Sequence, residues 1–334
     1  MFGDDYLDSL VSVVIPTFAR PYMLGRAIES VLAQQYREFE ILVIDDNGNG
    51  SENQIITEEY MQKYQDKKCI RYLKHETNLG GCAARNTGIR NAKGCFIGFL
   101  DDDDEWAKDF LLKLMNKFCS NAVGAIYCKN LIEKKGKIFY SEKGEPALYK
   151  GQVFKNLLGG WCPASTSLFI VRKECFEKVG GFDESLKSFQ DYDMWLRVAQ
   201  EYDFDYVDER LVIKHEEHGG EQVGFNPYNR QLAMTKLKEK WDELLSKNEK
   251  LLFNIFLEQH SMEIKRNLII YNKQKGIRCN YIKLYKNYLL SRTKLYDKIL
   301  ILLTCIFGVK VLIFKDQVVC KLLRRYKFIK SYNN

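Results

Sequence analysis

The sequence predicts an α/β protein, a mainly parallel sheet flanked by helices, with an α-helical extension at its C-terminal end. Three observations predict it. Short apolar runs rich in β-branched residues alternate with helical patterns through the first third of the chain. Polar and acidic residues stand where several of those runs end. Beyond about residue 225, glycine and proline nearly vanish while amphipathic helical patterning continues.

VSVVIP at 11–16 reads as a buried strand, and Tyr22 to Gln35 as a helix with Met23, Ala27, Ile28, Val31 and Leu32 inward. FEILVIDD at 39–46 is the second strand, followed by a helix through Ile55, Ile56, Tyr60 and Met61. CIRYLK at 69–74, a helix from Gly80 to Ala92 and CFIGFLDD at 95–102 continue the series. GAIYCK adds a fifth strand after another helix. Continuous rather than alternating apolarity marks strands covered on both faces, hence βαβ units in a mostly parallel sheet. From about 129 to 160 the pattern is hairpin-like and irregular. SLFIVRK then reads as a strand running into a helix, and DYDMWLRVAQEY at 191–202 as a helix. A boundary near 225 divides an α/β domain, 1–225, from a helical extension, 226–334.

The formal charge of +7 is small beside 51 basic and 44 acidic residues and identifies no partner alone; no nucleic-acid partner is expected. Ten cysteines are scattered without a C-x-x-C pair, the pattern of free thiols in a reducing compartment rather than a disulfide framework. MFGDDYLDSL has no basic segment followed by an apolar stretch, so no signal peptide is expected and a cytoplasmic location is.

In an open α/β sheet, ligands bind at the carboxyl ends of the strands. There the sequence places Pro16–Thr17, Asp45–Asp46 and Asp101–Asp104, so three strand ends feed one crevice. In FLDDDDEW, four adjacent carboxylates repel one another unless a cation neutralises them. A hard divalent ion, Mg²⁺ or Mn²⁺, bridging carboxylates to substrate phosphates suits that charge. A solvated acidic turn capping the next helix is the competing reading. The NGNG after Asp46 lacks the third glycine and the first-strand position of a dinucleotide fingerprint, which excludes that cofactor class. GGCAARNTGIRNAKG reads as a helix with one small-residue face, from which Arg85 points to a diphosphate or forms an ion pair. Asp191 and Asp193, two residues apart near a helix start, point in different directions: one faces the crevice as a base, the other caps or pairs. His215 and His218 are imidazoles available to a metal, at a spacing that is not H-E-x-x-H. Trp161 stacks on a sugar or belongs to the core.

Taken in order, VSVVIPTFARPYMLGRAIESVLAQQYREFEILVIDDN, NLGGCAARNTGIRNAKGCFIGFLDDDDEW and SLFIVRKECFEKVGGFDESLKSFQDYDMWLRV resemble the family 2 glycosyltransferases with the GT-A fold. That group includes bacterial capsule, O-antigen and cell-wall enzymes. The resemblance implies that Pro16, Thr17, Phe18, Arg20 and Asp46 hold the nucleotide, with Arg85, Asp101 and Asp102 toward ribose and diphosphate. It makes Asp103 the metal ligand, completed by His218, and Asp191 the base that deprotonates the acceptor hydroxyl. Trp161 and Asp193 are assigned to the acceptor side. Gln190 stands where the family usually has glutamate and receives no role. The implied reaction is inverting transfer from a nucleotide-diphosphate sugar, a UDP-sugar first, to a glycan or lipid-linked acceptor in cell-surface polysaccharide or glycoconjugate synthesis. A protein-linked glycan is the alternative acceptor. A nucleotidyltransferase would want a glycine-rich loop after the first strand, which IPTFARPY lacks. An inactive sugar-binding scaffold would not need both acidic clusters.

The extension carries no matching motif. KILILLTCIFGVKVLIF at 298–314 is interrupted by Lys310, and its clean apolar core is too short to span a bilayer. Val318, Val319, Leu322, Leu323 and Tyr326 then form a stripe beside Lys321, Arg324, Arg325 and Lys327. Such a basic amphipathic helix suits the inner membrane surface or, with its apolar face covered, a homo-oligomer contact.

Overall fold

The computed structural model describes residues 9–139, 147–163, 165–215 and 226–274. The expected alternation opens the chain: β1 (Val11–Thr17), α1 (Pro21–Leu32), β2 (Phe39–Asp45), α2 (Glu52–Met61), β3 (Ile70–Lys74), α3 (Gly81–Asn91) and β4 (Phe96–Phe99). After it come β5 (Asp104–Trp106), α4 (Phe110–Met115), β6 (Val123–Lys134), β7 (Lys137–Phe139) and α5 (Phe154–Leu158). The described chain closes with β8 (Phe169–Arg172), α6 (Lys173–Val179), α7 (Gln190–Glu201), β9 (Asp203–His215), α8 (Pro227–Asp242) and α9 (Lys247–Gln274).

All nine strands join one sheet in the order β3-β2-β1-β4-β8-β6-β9-β5, with β7 paired to β6. The half built from β1 to β4 is parallel, as its doubly covered apolar runs require. The other half is mixed, because β8 runs antiparallel to both β4 and β6. The expected hairpin is β6–β7, turned by Lys135 and Gly136, both at positive φ as a two-residue hairpin loop needs. Two strands escape the sequence pattern: β5 is only three residues, and β9 holds its place by pairing parallel to β6 through shifted registers.

The sheet is covered closely. Val11, Val13, Val14 and Ile15 of β1 and Ile41 to Ile44 of β2 are fully buried. Helix α3 lies so near β1 that a Cβ on Gly88 would sit 2.3 Å from a Val14 methyl. This close seat carries the first turn of α3 to the carboxyl end of β1. Beyond the sheet, α8 and α9 pack on α5 and α7, with Trp241 fully buried and Phe256 stacked 4.1 Å from Tyr192. Among the described residues no helix is long and apolar enough to cross a membrane. The stripe at 298–334 lies outside the described residues.

Candidate active site

Strands β1, β2 and β4 end at one crevice of about 730 Å³, a size that admits a nucleotide sugar. After Phe99 the chain leaves β4 with the Leu100 N–H still on Val14. It then turns through Asp101 to Asp104, closed by the Asp104 N–H on the Asp101 carbonyl at 3.0 Å. The four acids draw on partners from several elements, one of them shared. Arg85 of α3 donates to Asp101 at 2.7 Å, and Ser165 at 3.3 Å. Thr17, the last residue of β1, donates to Asp102 at 2.8 Å. Arg20 bridges Asp102, at 3.2 Å, and Asp103. Asp104 has Lys214 of β9 at 4.0 Å.

Burial pushes Asp102 up to about 7 against the pull of Arg20, and Asp104 up to about 7 against Lys214. It is the largest influence on Asp101 too, but Arg85, Lys214 and Arg20 together outweigh it and hold that carboxyl below the ordinary aspartate range. The turn and Asp191 thus carry more carboxylate than Arg20, Arg85 and Lys214 neutralise. Asp101, Asp103 and Asp104 bring one oxygen each within 4.8 Å of one another, and the buried Oδ2 of Asp104 has no hydrogen-bond partner. An all-carboxylate cradle with an unsatisfied buried oxygen fits a hard divalent cation. Asp104 is therefore not a helix cap: α4 starts six residues later behind Asp109, and Asp104 is 2% exposed in β5. His218 lies outside the described residues.

The expected nucleotide residues Pro16, Thr17, Phe18, Arg20, Asp46, Arg85, Asp101 and Asp102 all line the crevice, Phe18 at 47% exposure on its rim. Asp46 is more occupied than the sequence suggested. Its carboxylate takes the Leu79 and Gly80 N–H groups at 2.8 and 2.7 Å, Asn78 at 3.0 Å and His75 at 2.7 Å. It anchors the loop that carries the crevice wall into α3. His75, whose other nitrogen reaches Thr87 at 2.9 Å, had no sequence signal beyond being one imidazole in a loop.

Asp191 also lines the crevice, from the first turn of α7, and burial raises its carboxyl against the pull of Arg85. The two residues expected on the acceptor side, Asp193 and Trp161, are not among those that line the crevice. Asp193 is 0% exposed and spends its oxygens on Arg197, Lys240 and Trp241, away from the crevice. Trp161 packs edge-on to Tyr127 and Tyr149 and donates its indole N–H to the Ala147 carbonyl. Lys214 and His215 reach the crevice from β9, His215 lying 3.2 Å from Glu133. Lys214 was missed because β9 itself was.

The sequence profile of "Glycosyl transferase family 2" matches residues 12–180. The chain is 31% identical to an uncharacterized glycosyltransferase of Rickettsia conorii over 89% of itself, and spans 48% of that relative's length. It is 31% identical to the Escherichia coli protein named for colanic acid biosynthesis, WcaA, over 65% of this chain and 76% of that one. Among solved structures, Staphylococcus aureus TarS 1-349 with UDP-GlcNAc superposes at TM-score 0.60 and 19% identity, covering 84% of this chain and 79% of that one. A Pyrobaculum calidifontis mannosyltransferase with GDP-Man and Mn²⁺ superposes at 0.54 and 16%, covering 89% and 87%. The last two likenesses place the sheet and its flanking helices in the GT-A fold. With half of its length matched by the profile, the chain belongs to glycosyl transferase family 2, a family of glycosyltransferases.

Proposed function

We propose that this chain transfers a sugar from a nucleotide-diphosphate donor to a glycan hydroxyl, with inversion at the anomeric carbon and Asp191 as base. One observation carries the reading: Asp191 and the four-acid turn face a single crevice from opposite elements, α7 and the end of β4. Thr17, Phe18 and Arg20 line the same crevice at the end of β1, where the nucleotide would lie. Asp101, Asp103 and Asp104 would hold Mn²⁺ or Mg²⁺. When bound, that ion supplies positive charge against the leaving diphosphate. The Asp191 carboxylate takes the acceptor proton as the acceptor oxygen bonds the anomeric carbon and the bond to the diphosphate oxygen breaks. A single in-line displacement inverts the centre.

The TarS complex with UDP-GlcNAc supports a UDP-sugar as first choice, and the name of the E. coli relative supports a cell-surface polysaccharide acceptor. The part of the chain from 226 to 334 would bring the enzyme to the inner membrane surface, where lipid-linked acceptors lie. A thermal-shift panel of UDP- and GDP-sugars with Mn²⁺ tests the donor. One donor class should raise the melting temperature by several degrees, and EDTA should abolish the shift. If no nucleotide sugar shifts the protein, the donor reading falls.

A further inference from the structure

Helix α7 turns by about 100° per residue, so side chains two apart point about 200° apart. Asp191 and Asp193 therefore face opposite ways, and whatever holds Asp193 sets the direction of Asp191. Asp193 is fully buried. It accepts from Arg197 within its own helix at 3.0 Å, and from two groups of α8, Lys240 Nζ at 3.0 Å and Trp241 Nε1 at 3.1 Å. Lys240 also reaches Asp183 at 3.0 Å, and Lys236 donates to the Ser185 carbonyl at 2.9 Å. Those residues open the segment that runs through Glu184, Leu186 and Phe189 along the crevice to Asp191. A buried charged network is a poor way to gain stability but a good way to select one orientation, because its bonds are directional.

We propose that α8 is a working part of the active site: Lys240 and Trp241, acting through Asp193 and Asp183, position the acceptor wall and the aim of Asp191. Lys240 is a positioning residue, and its role rests on the reading of Asp191 as base given above. The helical extension then controls turnover in a fold whose nucleotide contacts lie elsewhere.

The test uses the full chain with Lys240→Met, Lys240→Arg and Trp241→Phe, the last removing the indole N–H and part of the ring while keeping Lys240, should Lys240→Met fail to fold. Nucleotide release is followed with Mn²⁺ and whichever of UDP-glucose, UDP-N-acetylglucosamine and GDP-mannose the parent turns over fastest. Amide exchange is read over residues 183–193. Lys240→Met should speed exchange there while β1 to β4 stay protected. It should lower kcat by about ten- to a hundredfold, as misplacement of a reacting group does, with donor KM within about twofold. Lys240→Arg should restore both. Unchanged exchange overturns the clamp, as does faster exchange with kcat unchanged, or donor KM rising in step with any loss of kcat. If the parent releases nucleotide from none of the donors, the glycosyl-transfer reading fails, and exchange over 183–193 alone decides whether α8 is a clamp.

Discussion

Arg85 bonds Asp101 at 2.7 Å, and its charge also reaches Asp191, which burial lifts. The same cation thus keeps one carboxyl ionised and only partly offsets the desolvation of the other, which suits a group that must take a proton. Asp191→Asn should lower transfer by about a hundredfold or more while leaving donor-induced thermal shifts intact. Parent turnover in that variant would remove Asp191 from the base role. Because the Asp191 carboxyl is raised, its basic form is lost as pH falls through a value above that of free aspartate, about 3.9. The acid limb of kcat/KM should therefore lie above that value, and a limb at or below it would contradict the assignment. Asp102 and Asp104, both pushed up to about 7, act on stability in the opposite sense. Between roughly pH 4 and pH 7 the folded, metal-free chain keeps protons that the unfolded chain has released, so these groups cost stability as pH rises. Asp104→Asn removes one of them. In EDTA it should gain about 1–3 kcal/mol on the parent between pH 5 and pH 8, read from urea midpoints at both pH values. A difference that does not change with pH would mean that Asp104 titrates as it does in water.

At the scale of elements, the seat of α3 on β1 decides where Arg85 meets the acid turn. Gly88 gives that seat, since a Cβ there would lie 2.3 and 2.6 Å from the two Val14 methyls, inside a fully packed core. Gly88→Ala should destabilise by about 1–3 kcal/mol as an overpacked site, and Val14→Ala in the same chain should recover part of it. Strictly additive losses would show that the two positions do not share the contact. The sequence announced this helix through GGCAARNTGIRNAKG, and it announced β1, β2 and β4 as mostly apolar runs and β3, IRYLK, by its place in the βα alternation. It did not announce β9, whose DFDYVDERLVIKH neither alternates nor runs apolar, and whose place comes from pairing with β6 across the sheet. Lys214 and His215 arrive at the crevice on that strand, so their approach to Asp104 and Glu133 depends on a long-range register that no local pattern encodes. The sequence left the acidic turn, Asp104 included, open between two readings for a similar reason. A three-residue strand is set by its partner, and an acid after a strand looks the same from sequence whether it caps a helix or lines a cradle.

Over the whole molecule, the change in composition near residue 225 marks where the βα pattern stops, yet the described contacts cross that point densely. Trp241 of α8 is fully buried, Phe256 of α9 stacks on Tyr192 of α7, and the carboxylate of Asp193 takes two of its three side-chain donors from α8. Removing everything after 225 would leave Asp193 with Arg197 alone and open an apolar surface over α5 and α7. Breaking a buried charged network by removing its partners costs about 3–5 kcal/mol, and the loss of a buried tryptophan contact costs a similar amount. Together these are comparable to the entire stability of a typical domain, about 5–15 kcal/mol. A fragment of residues 1–225 should therefore lack a cooperative thermal transition and should bind ANS, whereas the full chain should melt cooperatively. Trp241→Ala in the full chain should lie between the two, folded but with a lower melting temperature. If the fragment instead melts cooperatively near the temperature of the full chain, α8 and α9 would be an appendage and the catalytic fold would stand without them.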